Sequence, residues 1–129
     1  MKNQDIYDAA LKILAQRDEV GVNEDYEERA PYLIAAFCSE CARADEAYRK
    51  ANGLPKRTSQ SAVYLDLSAE FPCCSRFATT ASVYLASMLV IDESPDLSDK
   101  LFDRYSDMMS ALCMEIPAEV ESISDRYGF

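Results

Sequence analysis

The chain has 129 residues, enough for one domain with a buried core, and its 49% apolar and 28% charged residues are ordinary globular composition, which excludes wholesale disorder. With only 3 glycines and 5 prolines it lacks the residues that the tight turns of an all-β chain require. Its 23 acidic against 13 basic side chains leave a formal charge of −10, a field that repels polyanions and disfavours sequence-independent binding to a phosphate backbone.

The opening "MKNQDIYDAALKILAQRDE" is charged and amphipathic, without the uninterrupted apolar core or small-residue cleavage site of a secretion signal. Ile6, Ala10, Ile13 and Leu14 fall at three-and-four spacing, which gathers them on one face of a first helix ending near Arg17. The second segment is the most regular: Tyr26, Ala30, Leu33, Phe37, Cys41, Ala44 and Tyr48 form one long amphipathic stripe. Asn23 suits its N-cap, and Glu24 and Asp25 fall in the first turn, where the helix dipole favours carboxylates. Pro31 lacks a backbone donor and crowds the carbonyl of Glu27, so it predicts either a kink or a helix restarting there. The segment stops at "NGLP", where Gly53 suits a left-handed C-terminal position and Pro55 cannot continue a helix.

Residues 54–72 read as a long connection of extended chain, with room for a brief helical turn at "SAEF". Its Lys56 and Arg57 are the one local basic cluster, most simply a solvated loop. A third helix follows from about Ser75 to Asp92, with Phe77, Ala81, Tyr84, Met88 and Ile91 as its main stripe and Leu85 and Leu89 widening it. It carries no charge between Arg76 and Asp92, which predicts a central position. The uncharged run Phe77 to Ile91 spans only about 22 Å as a helix against roughly 30 Å of hydrocarbon, so it is not a membrane span. Ser94 as N-cap, Pro95 at the first position and Asp96 beside the dipole begin a fourth helix, with Leu97, Leu101, Tyr105, Met108 and Leu112 as its buried stripe. The short "DESP" loop makes helices three and four an antiparallel hairpin. The fold class expected is therefore all-α: a bundle of four principal helices over 1–116 with a long helix 2–3 connection, then an irregular tail over 117–129. That tail either folds back through Val120, Ile123 and Tyr127 or serves as an arm for a neighbouring subunit.

Five cysteines, an odd number, without an export signal point to reduced thiols in a cytosolic compartment. Cys38, Cys41, Cys73 and Cys74 offer four thiolates that tetrahedral zinc could take. Cys38 and Cys41, however, sit within a regular helical pattern rather than a Gly-rich turn, and no preceding strand or helix N-terminus poises them for thioredoxin-like work. Structural thiols are the simpler reading, with Cys113 at the core or its boundary. Whether the four approach one another is a question for the structure.

The chain has no histidine, so it lacks the commonest general base and the Ser-His and Cys-His pairs. No GxxxxGK or GxGxxG loop is present to cradle phosphate. Carboxylate and divalent-metal chemistry is the remaining enzymatic option: Glu24 and Glu27, with Glu28 adjacent, and Glu93 and Asp96 echo the paired acids of all-helical nucleotide pyrophosphohydrolases. Against it, Glu93 and Asp96 straddle a helix start, and acids at helix N-termini already have a structural explanation. No catalytic, cofactor-binding or metal-ligating residue is therefore assigned.

"DYEERAPYL" (25–33), "LDLSAEFP" (65–72), "LVIDESPDLSDKLFDRYSDMM" (89–109) and the closing "ISDRYGF" together resemble a small helical protein encoded among the head and head-to-tail genes of Firmicutes prophages. The resemblance implies a connector or adaptor that forms a homo-oligomeric ring with portal or tail components. It implies a bacterial cytoplasmic location, or a virion one once assembled, and supplies no catalytic residues. An acidic regulator or DNA mimic is the alternative binding role. Neither reading entails stable nucleic-acid or membrane binding.

Overall fold

A computed structural model describes residues 1–14, 24–57 and 62–116. The fold is all-α, and among the described residues the only extended pairing is an isolated antiparallel bridge between Lys2 and Glu70. In chain order the helices are α1 (Asn3–Ile13), α2 (Glu24–Glu40), α3 (Ala42–Ala51), α4 (Ala78–Leu89) and α5 (Pro95–Glu115), with one 3-10 turn at Ser75–Phe77 leading into α4.

The charge-free α4 is central, as expected: Leu85, Ala86, Ser87 and Leu89 are sealed from solvent, and α1, α2 and α5 all pack against it. Burying each such leucine stabilises the fold by about 1.5–3 kcal/mol. Ser98 Oγ donates to the Ser87 carbonyl at 2.8 Å, so small residues with satisfied hydroxyls mark the crossing of α4 and α5. Ile91, expected on the α4 stripe, lies beyond the helix and is exposed.

Ile6, Ala10 and Leu14 of α1 are buried, but Ile13 is exposed, and Tyr7 and Asn3 occupy the inner face with them. Asn3 sits there because the connection wraps the start of α1. Its side chain donates to the Asp66 carbonyl at 2.9 Å, its backbone N–H to Ala69 and that of Gln4 to Leu67. From residue 62 onward the connection carries no helix before Ser75, and it includes a turn in which the Ala69 N–H donates to the Asp66 carbonyl at 3.0 Å. The expected reach of the first helix to Arg17, the Asn23 cap and the tail lie outside the described residues.

The long second segment is divided, though not where proline predicts. α2 runs from Glu24 to Glu40 through a buried Pro31, and the division falls at Cys41. Burial of Pro31 against the core outweighs its missing donor. At Cys41 the backbone shifts to φ −91°, ψ 5°, while the hydrogen-bond ladder crosses it from Cys41 to Phe37 and from Asp45 to Cys41. The expected stripe is otherwise found, with Leu33, Ala44 and Tyr48 at its half-buried margin. Gly53 at φ 66° closes α3: the Leu54 N–H reaches the Arg49 carbonyl and the Gly53 N–H that of Lys50, the paired bonds of a Schellman ending.

The fourth expected helix is α5. Ser94 Oγ accepts from the Leu97 N–H, with Pro95 opening the helix. Its stripe is less buried than the spacing predicts: Tyr105 and Leu112 are buried, Leu101 and Met108 half-buried, and Leu97 exposed.

Candidate functional site

Of the acidic residues singled out for metal chemistry, Glu24 and Glu27 lie in the first turn of α2, Asp96 in the first turn of α5, and Glu93 has a structural partner. Tyr26, on α2, donates its hydroxyl to the Glu93 carboxylate in the α4–α5 loop. Burial first, and then that hydrogen bond, raise the Tyr26 pKa, so the phenol stays protonated. Arg29, one turn on, donates to the carbonyls of Leu89 at 2.8 Å and Met88 at 3.4 Å, satisfying the end of α4, and holds Asp25 at 3.0 Å. "DYEERAPYL" is thus a clamp joining the start of α2 to the α4–α5 hairpin. Among the described residues no group of three or more His, Cys, Asp or Glu side chains is arranged to hold a metal ion.

The thiols are brought together. Cys41 at the α2–α3 division and Cys73 at the end of the connection approach to 3.1 Å between sulfurs, and Cys38 lies within hydrogen-bonding reach of Cys73. All three are buried, whereas Cys74 is half-buried and Cys113, expected at the core or its boundary, is exposed on α5. Exposure follows from the position of Cys113 beside Leu112 rather than on the face that meets α4. Hydrogen bonds from Cys38 and then Cys41, with the Arg57 charge behind them, lower the Cys73 pKa against the effect of burial. The same bonds to Cys73, together with burial, raise those of Cys38 and Cys41.

Beside the thiols lies Asp45, a fully buried carboxylate. It accepts from Arg49 Nε at 3.1 Å and the Cys74 backbone N–H at 2.9 Å, with a guanidinium nitrogen of Arg57 at 3.9 Å. Arg49 also donates to the carbonyls of Pro55 and Pro72, and Arg57 to that of Cys38. One buried carboxylate and two arginines therefore bind α3 to both ends of the connection. The signal was in the sequence: Asp45 follows Cys41 by four and Cys38 by seven, which puts a carboxylate on the thiol-bearing face of the helix.

Outside this cluster opens a cleft of about 690 Å³. Arg43, Arg49, Lys50, Lys56 and Arg57 line it together with Glu46, a concentration of positive charge on a chain of net −10. Lys56 and Arg57 are not merely a solvated loop. The Schellman turn folds them back beside α3, and Arg57 is drawn inward to Asp45.

A third surface is the outer part of α5. At 21 residues the helix is about 31 Å long, yet only Ser98, Tyr105 and Leu112 are buried, because it packs chiefly on α4. Leu101, Met108 and Met109 remain half-covered, Leu97 and Phe102 are exposed at the flanks, and Met114 is 86% exposed near the C-terminal end.

Tyrosine burial sets a pH limit on the fold. Burial first, then neighbouring carboxylates, raise Tyr7 and Tyr105 each to about 12, against about 10 in an unfolded chain. A raised native pKa leaves stability intact below about pH 10 and removes it progressively toward about pH 12, since the unfolded state ionises first. The urea midpoint is expected to fall over that window, and to fall less in Tyr7→Phe; an equal fall would contradict burial as the cause.

No family model, no curated protein and no solved structure matches this chain.

Proposed function

We propose that this chain is a non-enzymatic structural protein of the prophage head-to-tail connector or adaptor class, acting by protein–protein assembly. The observation that carries the reading is the apolar stripe of α5, which is wider than α4 covers and leaves Leu97 and Phe102 to solvent at its two margins, with Met114 exposed on the far side of the helix. Large exposed side chains on one long helix are what a subunit contact uses. The cationic cleft is a complementary feature: on a chain of net −10, it attracts an acidic surface of a neighbouring copy or of a portal or tail component. Two unlike surfaces on one subunit favour a heterologous contact, the kind that closes a ring. The resemblance of "DYEERAPYL", "LDLSAEFP" and the 89–109 hairpin to head-to-tail proteins points the same way. The expected locations are the bacterial cytoplasm before assembly and the virion after it.

Light scattering across a sizing column is expected to show oligomers, alone or with neighbouring head and tail proteins. Phe102→Asp combined with Met114→Asp is expected to reduce them to monomers without loss of helicity. A folded wild-type chain that stays monomeric and joins no such protein would refute the connector and leave the acidic regulator.

A further inference from the structure

Cys41 and Cys73 are 32 positions apart in the chain, yet their sulfurs stand 3.1 Å apart, about 1 Å longer than a disulfide bond. Two thiolates on one tetrahedral zinc are about 3.8 Å apart, because each Zn–S bond is about 2.3 Å. The pair is therefore closer than metal ligation requires, in keeping with the absence of a metal-holding group among the described residues. Both sulfurs are buried and a third thiol, Cys38, adjoins Cys73. Cys113 and Cys74 stand outside this trio, one exposed and the other turned to Asp45.

We propose that Cys41 and Cys73 are a reversible dithiol–disulfide pair, oxidised by a hydroperoxide, with Cys38 as the thiol positioned to exchange into the bond. In the first step the Cys73 thiolate attacks the peroxide. Its sulfur–oxygen bond forms as the O–O bond breaks, and the departing oxygen takes a proton and leaves as an alcohol, or as water from hydrogen peroxide. In the second, the Cys41 sulfur attacks the Cys73 sulfenic acid; the S–S bond forms, the S–O bond breaks, and hydroxide leaves with the Cys41 proton as water. Two thiols have lost two electrons and the peroxide has gained them. Cys73 suits the first role because its neighbours donate hydrogen bonds to it and Arg57 favours its anion. Peroxide reaches it when the connection opens locally, for the pair joins two packed segments rather than one helix. The bond fastens the α2–α3 division to the chain entering α4, closing a loop that contains α3 and the cationic cleft. It is expected to stabilise the fold by restricting the unfolded chain.

This proposal stands apart from the connector reading and is tested on the full chain. The reduced protein is treated with a small excess of hydrogen peroxide, denatured, alkylated and mapped by mass spectrometry. The expected product carries three alkylated cysteines out of 5 and one peptide linking Cys41 to Cys73. It melts several degrees higher than the reduced form, and dithiothreitol reverses both changes. Cys38→Ser is expected to keep the link, and Cys41→Ala to lose it while retaining helicity. Oxidation confined to Cys113, a link through Cys74, five free thiols after peroxide, or a stoichiometric metal retained by the reduced protein would each overturn the pair. The wild-type map decides the matter even where a variant fails to fold.

Discussion

Asp45→Ala is expected to lower the unfolding free energy by about 3–5 kcal/mol, the loss that follows when one partner of a buried ion pair is removed. The carboxylate is sealed from solvent, and its removal leaves the Arg49 and Arg57 guanidiniums facing each other and the Cys74 N–H without its acceptor. Against a total of roughly 5–15 kcal/mol for a domain of this size, this is a large fraction. Asp45→Asn keeps an acceptor for Cys74 while losing the charge, so its cost is expected to be smaller. Urea unfolding followed by circular dichroism measures both, and a cost below about 1 kcal/mol for the alanine variant would show that the cluster does not hold the connection.

Phe37→Ala is the second large effect, again about 3–5 kcal/mol. The ring is almost wholly buried where four parts of the chain meet: its centroid lies 6.4 Å from that of Phe71 in the connection, 5.7 Å from Tyr84 on α4 and 6.2 Å from Tyr105 on α5. Truncation leaves a cavity bounded by three aromatic rings, which cannot collapse without moving three separate elements. Phe37→Leu fills part of the space and is expected to cost less. Equal losses for the two variants would argue that ring contacts, rather than volume, dominate.

The two residues differ in how far the sequence announced them. Phe37 stood on the stripe of the second segment, as Tyr105 did on that of the fourth and the charge-free run did for the centre. Such positions are legible because a helical period places them on one face before any partner is known. Gly53 and Ser94–Pro95 were legible for a related reason, since their chemistry acts within a turn of where they stand. The helix restart that was one of the two expectations at Pro31 does not occur, because burial overruled a local rule, and the division at Cys41 carried no local signal at all. Leu97 and Ile91 were expected inside and lie outside, because a stripe gives direction but not the width of the neighbour that covers it.

The candidate site was legible only in part. Cys38, Cys41, Cys73 and Cys74 were marked as a group, but no spacing tells where a connection from 54 to 72 delivers Cys73. That depends on Asn3 and Arg49 donating to its carbonyls at Asp66 and Pro72, and on its own Arg57 donating to the Cys38 carbonyl. The cationic cleft was hidden for the same reason, since Arg43 and Lys50 lie on α3 while Lys56 and Arg57 reach them by the turn at Gly53. Asp45 gives a partial signal, its position on the thiol face of the helix, but the spacing does not show that it is buried and paired.

The proposed assembly is tested by negative-stain microscopy of the protein mixed with prophage portal and tail components. Rings or decorated portals that contain this chain, and that disappear with Phe102→Asp and Met114→Asp, are the expected result. Empty fields of folded monomer beside unmodified portals, at concentrations where those portals are intact, would contradict it.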